Sequence, residues 1–183
     1  MISYLEFILI ISYMVVTYHI IALKYKYSRG FPYFSRISRV LLVSLHVTIV
    51  ITNILLYFWL ISRDFIPFSV ILSAMGLLLF VAGLFIIFRG SYSLRKAVFV
   101  PENKLMAAGP FAYVRHPMYF GGIVGAFGLA LFAGSLFGLI YSLILTVVLS
   151  HIADAEEEDL KTRFGQEYVE YQSKVPKLFP HAW

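Results

Sequence analysis

The chain has 183 residues, of which 60% are hydrophobic and only 14% charged, and its mean hydropathy is +0.82. So little polar surface cannot clothe a soluble core of this size, which leaves an integral membrane protein. The absence of cysteine excludes disulfides, thiolate metal ligands, S-acylation and a cysteine nucleophile.

Ile2 to Leu23 is an apolar run long enough to cross a bilayer core, which takes ~20 helical residues. It lacks a basic leader and a small-residue cleavage site, so it reads as a retained helix rather than a signal peptide. Val40 to Ile61 is a second span and Pro67 to Phe88 a third, with Pro67 expected in a first helical turn. Tyr119 to Ile152 carries no charge apart from His151, and is too long for one span and too short for two full ones. Gly134-Ser135 at its middle predicts a tight helical hairpin. The tail places Leu160, Phe164, Tyr168, Tyr171 and Val175 at spacings of three or four, an amphipathic helix with Gly165 as a break.

The expected fold is therefore an all-α integral membrane protein with about five transmembrane helices and an amphipathic C-terminal helix. It reads as one membrane domain: three spans over 1–88, then a loop over 89–118, the hairpin over 119–152 and a tail over 153–183. Under this topology fourteen of the fifteen Lys and Arg residues fall on one face, with Arg63 alone on the other. The positive-inside rule makes that face cytoplasmic, with the N-terminus outside and the C-terminus inside. The net charge of +5 is thus a matter of topology and gives no reason to expect nucleic acid. Five scattered histidines without an HExxH spacing give no metal site.

Two polar clusters converge on that face. One is Arg115-His116-Pro117-Met118-Tyr119; the other is Glu156-Glu157-Glu158. Pro117 suits a first helical turn and leaves His116 near the cap, where free N–H groups can hold an anion. Gly109-Pro110 makes a turn, and Phe111, Tyr113 and Tyr119 offer flat faces. Anion cradle, aromatic wall and carboxylate together suit a zwitterionic nucleoside. Each residue also has a plainer use. Arg115 can snorkel to the interface, the tyrosines can form an aromatic belt, and the glutamates can open an amphipathic helix. Gly121, Gly122, Gly125 and Gly128 form a small-residue face on the fourth helix, suited to close approach by the fifth.

With "GPFAYVRHPMYFGG", an apolar hairpin and "EEEDLKTRFGQEYVEYQSKVPKLFP" in view, residues 95 to 181 resemble the integral-membrane isoprenylcysteine carboxyl methyltransferases and related lipid methyltransferases. The resemblance implies S-adenosylmethionine as methyl donor, leaving as S-adenosylhomocysteine, in a pocket on the cytoplasmic side. It implies donor contacts from Asn103, Lys104, Leu105, Met106, Phe111, His116, Pro117, Met118, Tyr119 and Glu156, with Glu157 the alternative to Glu156. It further implies a lipophilic acceptor, with the carboxylate of an isoprenylcysteine-like molecule favoured over a phospholipid. The eukaryotic enzymes carry an arginine four residues before the glutamate for the acceptor carboxylate. Here Ile152 holds that position, so His151 or Arg115 is the candidate, and the catalytic set is Arg115, His151 and Glu156. The competing readings are an NADPH-dependent sterol-type reductase, whose tail is similar, and a non-enzymatic membrane subunit. Nothing in the sequence assigns an oligomeric state.

Overall fold

The computed structural model describes residues 3–27, 36–98 and 105–180. Among them the secondary structure is helical throughout: α1 (Tyr4–Tyr27), α2 (Arg36–Ile61), α3 (Val70–Val98), a 3-10 turn (Gly109–Ala112), α4 (Pro117–Ala133), α5 (Leu136–Phe164) and α6 (Gln166–Lys174). Among the described residues α3 and α5 are long and apolar enough to cross a membrane, and α1, α2 and α4 carry shorter apolar stretches. Val70, Ile71, Leu78, Phe85 and Phe88 of α3 are all strongly exposed, an apolar surface that needs lipid rather than water.

Several boundaries differ from those the sequence suggests. Pro67 is not in the first turn of α3. That helix starts at Val70, where Ser69 Oγ accepts the Leu72 N–H at 3.3 Å and supplies the cap that Pro67 cannot. α3 also runs past Phe88 to Val98. α5 continues through the acidic run to Phe164, because Asp154 to Arg163 contains no glycine or proline. The glutamates therefore lie within a long helix and do not open a new one.

The chain divides into two compact units that do not follow chain order: Met1–Pro67 with Ala133–Asp159, and Phe68–Phe132 with Leu160–Trp183.

In the first unit α1 runs parallel to α5, since Phe7 meets Phe137 with ring centroids 4.8 Å apart and His19 meets His151 at 6.2 Å. The helices are joined by buried polar side chains. Asn53 donates to Thr17 Oγ1 (3.2 Å), Tyr141 OH donates to Asn53 Oδ1 (3.4 Å), and the Tyr57 and Ser142 hydroxyls pair at 3.4 Å. Buried away from water, such groups must find partners in one another, which selects a single helix register. α5 begins with a double cap. Ser135 Oγ accepts the Gly138 N–H at 2.9 Å, and Asp64 accepts both the Ser135 hydroxyl and the Phe137 N–H, the latter at 2.9 Å. Gly134, at φ +66°, brings its carbonyl to the Ile66 N–H at 2.7 Å. Replacing Asp64 by alanine should therefore lower unfolding stability by about 1–2 kcal/mol, read as a reduced melting temperature in detergent, with Asp64→Asn losing less.

The second unit is built on glycine contacts. Gly76, Gly83 and Gly90 repeat every seven residues along one face of α3. A Cβ at Gly76 would lie 2.5 Å from Phe132 N, at Gly83 2.5 Å from Gly121 O and Gly125 N, and at Gly90 3.0 Å from Met118 Cγ. As the α3 number rises the α4 number falls, so the helices are antiparallel with their backbones touching. The small-residue face of α4 thus serves α3, where the sequence suggested the fifth helix; a glycine stripe marks a face but not its partner.

Candidate functional site

The 105–119 segment of the second unit is shaped by its turn residues. Ala108 is extended and Gly109 takes φ +64°, a conformation that costs glycine little. The 3-10 turn follows, and the Tyr113 and Val114 N–H groups both donate to Pro110 O, at 3.2 and 3.4 Å. The turn buries Phe111, while Leu105 and Met106 are half-buried and Tyr113 is exposed.

The tail then fastens this turn from the other side. α6 buries Tyr168 and Tyr171 against each other, edge to face at 5.9 Å, and Tyr171 OH donates to Phe111 O at 2.6 Å. At Val175 the backbone leaves the helix in an extended conformation and then bends. The Arg115 N–H donates to Pro176 O (2.9 Å) and the His116 N–H to Lys177 O (3.1 Å). Arg115 Nη1 donates to Gln172 O at 3.1 Å and also to Val175 O, so a cation sits on the carbonyls that α6 leaves open at its C-terminal end. Leu178 is buried, and Phe179 meets Phe120 edge-on at 6.0 Å. The two sequence motifs are therefore halves of one construction, in which the tail carbonyls hold the entry to α4.

α4 begins at Pro117, with His116 as its cap: the Phe120 N–H donates to His116 O at 3.0 Å. The Met118 N–H lies in the first turn, where no intrahelical acceptor exists. The His116 ring is buried and stacked on Tyr119, three residues on, with centroids 5.4 Å apart and planes 4° from parallel. Met118 is half-buried, and its Sδ accepts the Ser91 hydroxyl at 3.4 Å, in the space that Gly90 leaves. Sequence reasoning missed Ser91 and Gly90; the seven-residue glycine spacing on α3 was the available signal.

Of the remaining candidates, Glu156 and Glu157 lie on α5 in the first unit. Glu157 is only 4% exposed and falls on the helix face of Leu149, Ile152 and Ala153, so the alternative glutamate is the inward one; Glu156 is half-buried. His151 is exposed beside His19. Asn103 and Lys104 lie outside the described residues.

A family model described as "Phospholipid methyltransferase" matches residues 71–167, more than half of the chain. The Protein-S-isoprenylcysteine O-methyltransferase of Schizosaccharomyces pombe is 36% identical over 80 residues, covering 43% of this chain and 34% of the relative. Proteins of the same name from Mus musculus and Rattus norvegicus are each 29% identical over 79 residues, covering 43% of this chain and 28% of theirs. The chain thus spans about a third of the length of these curated relatives. No solved structure matches. From α3 through the whole of α5, the glycine-packed pair and the His116–Tyr119 helix start lie within the matched range, and the chain belongs to the phospholipid methyltransferase family.

Proposed function

We propose that this chain is an S-adenosylmethionine-dependent methyltransferase acting on a lipophilic acceptor, with the carboxylate of an isoprenylcysteine-like molecule favoured. The observation that carries this reading is the His116–Tyr119 ring pair at the start of α4, which lies within the family-matched range and is held by the tail beyond it. The residues fit such a donor. The ring pair offers a flat surface for a purine, the half-buried Leu105, Met106 and Met118 offer apolar walls, and the Met118 N–H is an anion donor. Phe111 and Pro117 shape the backbone there, Asn103 and Lys104 precede it in the chain, and Glu156 or Glu157 is assigned to the donor's positive charge.

S-adenosylmethionine supplies a methyl group on a sulfonium, which leaves by in-line displacement. The chain's residues need only align the acceptor and exclude water. A carboxylate acceptor is already ionised near pH 7, so no general base is required of them. Arg115 Nη1 is engaged by tail carbonyls, which favours His151 as the group that meets the acceptor carboxylate. A phospholipid amine, which the family's description favours as a second reading, would have to lose a proton, and Glu156 or His116 would then serve as base. The proposed setting is five spans with the acceptor entering from the bilayer and the donor from the cytoplasm.

The test is methyl transfer from labelled donor to a farnesylated cysteine derivative and to phosphatidylethanolamine in parallel. Label released as methanol by mild base marks a carboxyl ester and supports the carboxylate reading. Base-stable label on the phospholipid overturns it in favour of the amine.

A further inference from the structure

A second feature lies on the first unit at the opposite end of α5 from the glutamates. Glu6, Leu9 and Ile10 of α1 and Thr52, Leu55, Leu56 and Trp59 of α2 line a groove of about 520 Å³, within the size range of small-molecule sites. The two helices are antiparallel here. Asn53 meets Thr17 well inside the pair, and Glu6 and Trp59 share the groove near the start of α1 and the end of α2. From Trp59 to Thr52 the wall runs seven residues, about 10 Å along the axis. Ile10 forms a buried floor, and Leu9 and Leu55 stand exposed at the sides. The Thr52 hydroxyl is turned back onto Thr48 O at 2.8 Å. The lining is therefore apolar except at one point.

That point is the Glu6 carboxylate, and it has a cationic neighbour. Ser3 N–H and Ser3 OH both donate to Glu6 Oε2, at 2.8 and 2.9 Å, and the Glu6 N–H donates back to Ser3 Oγ, a capping box. Oε1 stands outside that box. The Arg63 guanidinium lies over the Trp59 ring at 4.9 Å, and its charge acts on Glu6. The apolar groove thus carries a carboxylate in its lining and a guanidinium over its lining tryptophan, a residue of the kind that lies at membrane interfaces.

We propose that this groove binds one zwitterionic aminophospholipid: an acyl chain along Leu9, Ile10, Leu55 and Leu56, the ammonium on Glu6 and the phosphate on Arg63. Each charge of the headgroup meets its opposite. An anionic lipid such as phosphatidylglycerol would satisfy Arg63 with its phosphate but bring no cation to Glu6. A primary ammonium suits the carboxylate because it carries N–H donors, and the ring that would favour a quaternary one is covered by Arg63. The bound lipid is not the methyl acceptor of the proposed reaction. The groove mouth is level with Phe137, and Glu156 lies 19 residues further along α5, about 28 Å, close to the thickness of a bilayer core. The site holds a lipid in the other leaflet and fixes α1 against α2.

The test uses full-length protein reconstituted in bilayers of equal phosphatidylethanolamine and phosphatidylglycerol, extracted mildly and weighed intact by native mass spectrometry. Wild type is expected to keep one phosphatidylethanolamine. Glu6→Gln, which preserves the capping box, should keep about tenfold less of it, the value of a charge-assisted hydrogen bond. Leu55→Trp, filling the groove from an exposed position, should keep neither lipid. The proposal is overturned if wild type keeps phosphatidylglycerol as well as phosphatidylethanolamine, if it keeps no more lipid than Leu55→Trp, or if Glu6→Gln retains phosphatidylethanolamine like wild type.

Discussion

Replacing Gly83 by alanine should abolish stable packing of the second unit. The added methyl carbon would stand 2.5 Å from both Gly121 O and Gly125 N, which are backbone atoms and cannot rotate away. Helices α3 and α4 would have to separate over their whole contact, and the expected loss is about 3 kcal/mol or more. Gly122 is the control, since an added Cβ there meets nothing within 4 Å. Gly122→Ala should be neutral or stabilising by up to about 1 kcal/mol through helix propensity. Thermal unfolding in detergent distinguishes the two, and equal melting temperatures for Gly83→Ala and wild type would refute the α3–α4 contact.

Arg115→Ala should release the tail. Its Nη1 serves the carbonyls of Gln172 and Val175, and a charged donor's bonds contribute about 1.5–3 kcal/mol each. The main-chain bonds at Arg115 and His116 and the Tyr171–Phe111 bond would remain, but residues 171–178 would be held less firmly against the entry to α4. Limited proteolysis should then cut between α6 and Pro180 at least about a hundredfold faster than in wild type, on a loss of about 3 kcal/mol or more. Lysine should rescue only in part, because a point charge replaces a fork. An unchanged cleavage rate would mean that Arg115 is free for another task, and its candidacy as the carboxylate-binding group would revive.

These two residues also show where sequence reasoning reached and where it stopped. Turns and helix starts were legible because glycine and proline act locally. Gly109 turns the chain, Pro117 opens α4, Gly134 separates α4 from α5 and Gly165 separates α5 from α6. Pro67 misled because a proline also suits an extended link, and Ser69 two residues on was the better cap. The glycine face of α4 was legible as a face, but its partner depends on a seven-residue spacing on α3 that hydropathy does not reveal. Arg115 was legible as a charge in a motif. Its partners are main-chain carbonyls 57 and 60 residues away, and a carbonyl has no sequence signature. Asp64 was missed for the same reason, because it caps a helix that begins 72 residues later.

The most direct test of the central claim is equilibrium binding of S-adenosylhomocysteine and NADPH, side by side, to the purified chain and to its His116→Ala and Glu156→Ala variants. The expected result is saturable binding of S-adenosylhomocysteine alone. It should weaken at least about tenfold when the His116 ring is removed from Tyr119 or the Glu156 carboxylate is deleted, the value of a stacked aromatic or charge-assisted contact. Binding of NADPH instead, of neither nucleotide, or of S-adenosylhomocysteine with the same affinity in both variants would contradict it.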